Sequence, residues 1–141
     1  MKALLINGSP RLHGCTYTAL TELKRTLEAE GVEVELIHVG NKDIRGCIAC
    51  RQCRKLGKCV FDDVVNEVAS KLAEADAFVI GAPVYYSSPA GGAISFMDRL
   101  FFSTFNVDKT MKVGAAVVTC RRGGNTASFD VLNKYFSISG M

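Results

Sequence analysis

Three short, continuously apolar runs recur along the chain, at residues 3–6, 77–82 and 113–118. Runs of this length, rich in small or β-branched side chains, are typical of strands that are covered on both faces in a parallel sheet. A fourth segment, at residues 32–36, alternates valine and leucine with glutamate, which indicates a strand with one wet face at the edge of the sheet. The pattern therefore predicts four strands, and the second in sequence should lie at an edge.

Between these runs, apolar residues recur with the period of an amphipathic helix. Four such stripes predict four helices: Leu20, Leu23 and Leu27; Val64, Val65, Val68 and Leu72; Ile94, Met97, Leu100 and Phe101; and Phe129, Leu132 and Phe136. Gly31 follows the first stripe, at a position where glycine commonly ends a helix.

The predicted starts of the later helices rest on capping chemistry. Asp62 and Asp63 precede the second helix, where negative charge suits the helix dipole. Ser88 as the cap and Pro89 at the first helical position should open the third helix. Asn125 is the expected cap of the fourth.

Alternating strands and helices predict an α/β fold, a doubly wound parallel sheet with strand order 2-1-3-4. A fifth strand and a last helix would normally complete this topology, but they are absent from the sequence, which ends at Met141. The fourth strand would then have an open edge. Either the chain is truncated or a second subunit covers that edge.

Length and composition predict a single domain over residues 1–141, since 48% hydrophobic and 22% charged residues are typical of a soluble globular protein. The apolar run near the amino terminus is too short for a signal peptide or a membrane span, so we expect a cytoplasmic protein without membrane association. The net charge of +3 is modest. The basic residues that cluster near residues 45–58 do not alternate with aromatic residues, which argues against a nucleic-acid surface.

A cysteine-rich segment at residues 44–62, called here the cysteine loop, contains Cys47, Cys50, Cys53 and Cys59 with two, two and five residues between them. In a reducing cytosol such clusters are more often metal ligands or redox-active thiols than disulfides. The short double spacing suits a four-iron cluster better than zinc, which usually has two separated pairs. A dithiol pair and plain buried thiols also remain open. Cys15 and Cys120 stand apart and are expected to be small packing residues.

A phosphate loop, residues 7–16, joins the first strand to the first helix. Its small and hydroxyl residues leave backbone N–H groups free for an anion, and the amino terminus of the helix adds partial positive charge. The spacing matches neither a Walker loop nor the dinucleotide fingerprint.

Two further loops are expected at the same edge of the sheet. The tyrosine loop, residues 83–88, offers aromatic surface, and the arginine–glycine loop, residues 119–125, allows close backbone approach to a planar ring. Ligands of open α/β sheets bind at this edge, where the strand order reverses. Three loops that converge there would suit a ligand with a phosphate tail and a ring system.

These loops resemble the flavodoxin-fold NAD(P)H-dependent FMN reductases. The resemblance rests on Gly8-Ser9-Pro10-Arg11 with Thr16, on Pro83-Val84-Tyr85 ahead of Asp98-Arg99, and on Arg121-Arg122-Gly123-Gly124. With the four cysteines of the cysteine loop, the chain resembles more closely the iron-sulfur flavoprotein branch of that family.

The resemblance implies noncovalently bound FMN. Its phosphate would lie against Ser9, Arg11, Cys15 and Thr16, its ring against Pro83, Val84, Tyr85 and Tyr86, and its far edge near Thr119, Arg121, Arg122, Gly123 and Gly124. The family often has Asn at the position of Cys15, where only the backbone donor is retained.

The implied chemistry is hydride transfer from NADH or NADPH to the flavin, followed by electron transfer to an unknown acceptor, with a possible 4Fe-4S cluster as a relay. The flavin carries the chemistry, so no catalytic side chain is required. Arg121 or Arg122 could stabilise charge on the reduced flavin or attract a nicotinamide phosphate, although both could simply be solvated.

Two other functions stay open: a flavin electron carrier or redox sensor that is not an enzyme, and a zinc-stabilised binding module without flavin. Carriers of the flavodoxin type are usually acidic, so the charge of +3 favours the enzyme. The resemblance also implies a homo-oligomer.

Overall fold

The computed structural model describes residues 1–141. Strands and helices follow one another in the order β1 (Lys2–Asn7), α1 (Cys15–Ala29), β2 (Glu33–His38), α2 (Cys53–Leu56), α3 (Val64–Glu74), β3 (Ala77–Tyr85), β4 (Ser88–Pro89), α4 (Gly91–Ser103), β5 (Val113–Thr119) and α5 (Asn125–Ile138). None of the helices has the length and the apolar character needed to cross a membrane.

The main sheet is parallel, with strand order β2-β1-β3-β5. β4 is a two-residue strand that folds back antiparallel on the end of β3. The predicted order 2-1-3-4 is confirmed, because the fourth strand predicted from the sequence is β5. β2 lies at an edge, as its alternating pattern predicts.

The sheet is covered by helices on both faces, as the apolar strands β1 and β3 require. One core cluster joins the sheet to α3, α4 and α5, and includes Phe78, Phe96 and Leu132. A smaller cluster around Leu5 and Leu20 packs α1 on the opposite face. This two-sided burial explains why β1 and β3 are apolar at nearly every position.

The expectation that residues 113–118 form a fully buried strand is wrong in one respect. β5 pairs with β3 alone, and its residues are partly exposed rather than buried. The strand keeps the apolar sequence of an internal strand, but it has an open edge.

The expected helix starts hold for one helix and fail for two. Asp63 caps α3, and its Oδ1 accepts the Val65 N–H at 3.0 Å. Pro89 does not open α4, because Ser88 and Pro89 pair with the end of β3, and the helix begins only at Gly91 after the Ala90 cap.

The cap of α5 also lies one residue earlier than expected. It is Gly124, with a φ of 84°, and Asn125 is already the first helical residue. Sequence analysis also missed the short helix α2 and the strand β4.

Tyr135 of α5, which is hydrogen-bonded to Asp98 of α4, makes the stability of the fold depend on pH in the alkaline range. Burial raises the pKa of Tyr135 well above its ordinary value, and the hydrogen bond from its hydroxyl to Asp98 raises it further. The folded state therefore favours the neutral phenol. This contribution to stability is complete below the unfolded pKa of about 10 and is lost as the pH rises above it.

Replacing Tyr135 by Phe removes this ionisable group. We expect the free energy of unfolding, measured by urea denaturation from about pH 8 to about pH 11, to fall less steeply above pH 10 in Tyr135→Phe than in the wild type. Parallel curves for the two proteins would show that Tyr135 does not contribute to the alkaline loss.

Candidate functional site

The phosphate loop is held in shape by its own polar side chains. Asn7 is fully buried, and its Oδ1 accepts the Ser9 N–H at 3.1 Å. The Arg11 N–H donates to Ser9 Oγ at 3.2 Å, and Ser9 is only 5% exposed. Because Ser9 Oγ is the acceptor in that bond, its own hydroxyl proton stays available to a ligand.

The end of β2 supports the loop from outside. His38 Nε2 lies 2.7 Å from the Ser9 carbonyl oxygen and must donate to it. Gly40 passes so close that a Cβ there would lie 2.2 Å from the same oxygen. Any side chain at residue 40 would therefore displace the backbone of Ser9.

The loop ends at a helix that has no side-chain cap. Gly14 is the N-cap of α1 and has no side chain. The backbone N–H groups of the first turn therefore have no capping partner and are free to donate. The 15-residue helix directs its positive dipole end toward the same point. Residues 7–16 thus provide backbone donors, a free hydroxyl and the Arg11 guanidinium, which takes part in no ion pair. This donor set fits a phosphate group.

The three loops at the carboxyl ends of β1, β3 and β5 are adjacent. Thr16 Oγ1 and Thr119 Oγ1 share a hydrogen bond of 2.8 Å, which joins the phosphate loop to the arginine–glycine loop. At Gly124, a Cβ would lie 2.6 Å from Ser87 Cα and 3.0 Å from Val84 Cγ1, so the arginine–glycine loop also packs against the tyrosine loop. The structure therefore brings these three loops to one edge of the sheet.

The tyrosine loop is an exposed and strained hairpin turn. Tyr86 and Ser87 both have positive φ, at 50° and 60°, which makes them the central pair of a type I′ turn between β3 and β4. Asn and Gly are preferred in such turns, and other residues cost of order 1–3 kcal/mol each. Tyr85 is 50% exposed and Tyr86 is fully exposed, so both rings are free to contact a ligand.

The predicted cofactor residues fall into two groups by burial. Ser9 and Thr16 are buried, and Pro83, Val84, Thr119 and Gly124 are half-buried, so these form the floor where the three loops meet. The remaining residues are exposed and form the rim: Arg11, Cys15, Tyr85, Tyr86, Arg121, Arg122 and Gly123.

The four cysteines of the cysteine loop line one recess. Cys53 is buried, Cys59 is half-buried, and Cys47 and Cys50 are exposed at its mouth. All are free thiols. The remaining walls include Val60, Phe61, Arg99, Phe102 and Ser103.

The cysteine loop has a strained backbone beside Cys50. Ala49 and Arg51, on either side of it, have φ of 53° and 57°. Strain of this kind in non-glycine residues is concentrated at functional sites. No group of three or more His, Cys, Asp or Glu side chains is placed to hold a single metal ion. Cys47, Cys50, Cys53 and Cys59 nevertheless line the same recess.

A buried arginine forms one side of the recess. Arg99 of α4 is 1% exposed and pairs with Asp63, Nη1 to Oδ2 at 2.6 Å and Nη2 to Oδ1 at 3.0 Å. Its Nε and Nη2 each lie 3.3 Å from Cys59 Sγ. Burial lowers the pKa of Arg99, but the bonds to Asp63 and Cys59 raise it above its ordinary value, so the guanidinium stays charged.

The recess and the three loops lie at different positions along the axis of α4. The N-cap residue Ala90 donates its N–H to the Pro83 carbonyl, at the tyrosine loop. Arg99, Phe102 and Ser103 line the recess. A rise of 1.5 Å per residue separates them from Ala90 by roughly 14–20 Å along the helix axis. The cysteine loop follows β2 at the same sheet edge, but its sulfurs lie on the flank of α4.

The expectation that Cys15 and Cys120 are packing residues is wrong. Both are exposed. Cys15 is the first residue of α1, and Cys120 directly follows β5, so each is adjacent to one of the two threonines that join the loops.

Sequence analysis missed His38 and Arg99 as parts of these two sites. His38 offers no signal in the sequence, because its partner is a backbone carbonyl 29 residues away. Arg99 does offer one, since it lies on the covered face of α4 between buried Phe96 and buried Ser103. A lone arginine on an apolar helix face needs a buried partner.

The sequence profile of the NADPH-dependent FMN reductase family matches residues 1–141. An iron-sulfur flavoprotein of Methanocaldococcus jannaschii is 34% identical over 143 residues, an alignment that covers 100% of this chain and 74% of that protein. Both matches indicate the family that the residues of the three adjacent loops resemble.

Solved structures share the fold, among them RosB and an archaeal flavodoxin. RosB with a bound 8-demethyl-8-formylriboflavin-5′-phosphate intermediate has a TM-score of 0.77 at 18% identity, covering 99% of this chain and 60% of that chain. A flavodoxin from the domain Archaea has a TM-score of 0.66 at 18% identity, covering 100% of this chain and 76% of that one. At this identity the likeness concerns the fold alone.

Proposed function

Because this chain belongs to the NADPH-dependent FMN reductase family, we propose that it binds FMN, takes hydride from NADPH or NADH, and passes electrons to an acceptor through an iron-sulfur cluster. The observation that carries the proposal is the meeting of three loops at the carboxyl edge of the sheet, joined by the Thr16–Thr119 hydrogen bond and by the packing of Gly124 on Ser87. The acceptor is a small molecule or a protein, and a second copy of the chain completes the site.

The phosphate loop is proposed to hold the FMN phosphate. Ser9 would donate its free hydroxyl proton, and the first-turn N–H groups of α1, at Cys15 and Thr16, would donate from the backbone. Arg11 has no carboxylate partner and is free to close over the phosphate as a bidentate donor. His38 and Gly40 keep the loop in this shape without contacting the ligand.

The tyrosine loop and the arginine–glycine loop are proposed to hold the flavin ring. Pro83 and Val84 would form its floor, and Tyr85 and Tyr86 would cover its edge. When bound, FMN supplies the hydride-accepting ring, and the protein supplies position and electrostatics. Arg121 and Arg122 are exposed and take part in no ion pair, so they are free to attract the anionic nicotinamide nucleotide.

The cysteine recess is proposed to hold the cluster. Cys47, Cys50, Cys53 and Cys59 would supply four thiolates, the ligand set that a 4Fe-4S cluster takes, and such a cluster transfers single electrons. The apolar walls and the buried Arg99 suit a group that is shielded from water.

Anaerobic spectroscopy of the purified protein tests the function directly. Flavin bands that bleach on addition of NADPH are the expected result. Bands that bleach only with dithionite would contradict the reductase and support a flavin electron carrier. A colourless protein that binds zinc and no FMN would contradict both.

Cys53→Ala tests the cluster assignment. Cys53 is the buried cysteine of the recess, so we expect the variant to lose the broad brown absorbance of the cluster together with most of its iron and acid-labile sulfide. Cys120→Ala is the matched control, because Cys120 lies outside the recess. Equal iron content in the two variants would contradict the assignment.

A further inference from the structure

Four cysteines line the recess, but their surroundings differ. The thiol of Cys53 points at the Phe102 carbonyl at 3.8 Å, a weak contact, and the sulfurs of Cys47 and Cys50 accept no hydrogen bond. Only the sulfur of Cys59 accepts two, both from the same guanidinium. One of the four proposed ligands is therefore distinguished from the rest by the protein around it.

Arg99 is fixed on every side. Two N–H groups bind Asp63, a third contact is made from Nη2 to the Phe61 carbonyl at 3.1 Å, and the guanidinium lies 5.1 Å from the centre of the Phe61 ring. Asp63 is itself fixed, because it caps α3. A guanidinium held in this way cannot turn away from the sulfur of Cys59.

The guanidinium of Arg99 has a carboxylate on one edge and a sulfur on the other. Asp63 neutralises Arg99, yet the arginine still directs its Nε edge at a sulfur. A thiol is a weak acceptor, and a guanidinium is the stronger partner of an anionic sulfur. Burial removes the water that would otherwise screen the interaction.

We propose that Arg99 is a positioning residue that fixes Cys59 as a ligand of the cluster and raises the reduction potential of the cluster by donating two hydrogen bonds to that sulfur. This inference rests on the proposed cluster. One-electron reduction adds negative charge to the cluster and its sulfur ligands, and no protein bond is made or broken. Hydrogen bonds from a buried cation stabilise the reduced form more than the oxidised form.

The test compares two arginine-to-lysine variants of the protein. Arg99→Lys keeps the positive charge but removes the planar pair of donors, and Arg54→Lys makes the same change at an exposed arginine of the cysteine loop. The midpoint potential of the cluster is measured by anaerobic titration with dithionite and mediator dyes, followed by electron paramagnetic resonance.

We expect Arg99→Lys to lower the equilibrium constant for reduction about tenfold, which is 59 mV for one electron, while Arg54→Lys leaves the potential unchanged. An unchanged potential in Arg99→Lys, with full iron content, would overturn the inference. A wild-type protein without iron and sulfide would instead overturn the proposed cluster.

A measurement on the unaltered side chain covers the case in which Arg99→Lys fails to fold. Protein labelled with ¹⁵N in the arginine guanidinium groups is reduced, and pulsed electron paramagnetic resonance detects nitrogen coupled to the cluster. We expect a coupling that persists in Arg51→Lys, which removes the other arginine of the recess. Absence of coupling in either protein would overturn the inference.

Discussion

Gly40→Ala should weaken FMN binding by roughly tenfold to a hundredfold. The added Cβ would lie 2.2 Å from the Ser9 carbonyl oxygen and 2.3 Å from its carbon, and these are backbone atoms that cannot rotate away. Relief of such overpacking costs about 1–3 kcal/mol, and about 1.4 kcal/mol corresponds to a tenfold change in a dissociation constant. The backbone that must shift is the one that presents Ser9 to the phosphate.

The measurement for Gly40→Ala is quenching of FMN fluorescence during titration with the apoprotein. Gly46→Ala is the matched control, because the nearest heavy atom to its new Cβ is Ser95 Oγ at 4.0 Å, an ordinary contact. We expect its affinity to equal that of the wild type. Equal affinities in all three proteins would show that the phosphate loop does not bind FMN.

Asp63→Ala should lower the free energy of unfolding by about 3–5 kcal/mol, because removal of one partner leaves a buried charge unpaired. Arg99 is 1% exposed and loses both carboxylate contacts in this variant. The N-cap of α3 is lost as well, a change that alone costs about 1 kcal/mol.

Urea denaturation of the apoprotein measures the effect, and the neighbouring residue supplies the control. Asp62 is exposed and makes no ion pair, so Asp62→Ala should change the free energy of unfolding by about 0.5 kcal/mol or less. A similar small change in Asp63→Ala would mean that Arg99 finds another partner or leaves the interior.

The sheet could be predicted from the sequence because its signal is local. The apolar runs at residues 3–6 and 77–82 and the alternation at 32–36 each reflect how a strand is covered, and strand order follows from which strand is wet on one face. The start of α4 could not be predicted in this way. Ser88 and Pro89 resemble a helix cap and a first residue, but the turn at Tyr86 and Ser87 pairs them with β3.

The proposed site could likewise be predicted only where its residues are close together in the sequence. The three loops and the four cysteines are contiguous segments, so their residue types were visible in the sequence. Contacts between distant residues were not. His38 binds a carbonyl, Arg99 reaches Cys59 across 40 residues, and the hydrogen bond of Thr16 to Thr119 spans 103. These contacts depend on how the helices pack on the sheet, which no local pattern reveals.

Equilibrium titration of the apoprotein with FMN and with riboflavin tests the central claim, that the three adjacent loops hold the cofactor by its phosphate and its ring. Two or more charge-assisted hydrogen bonds to the phosphate, each contributing about 1.5–3 kcal/mol, should make FMN bind at least roughly a hundredfold more tightly than riboflavin. We expect one FMN per chain and that difference in affinity. Equal affinity for the two flavins, or no binding of either, would contradict the account.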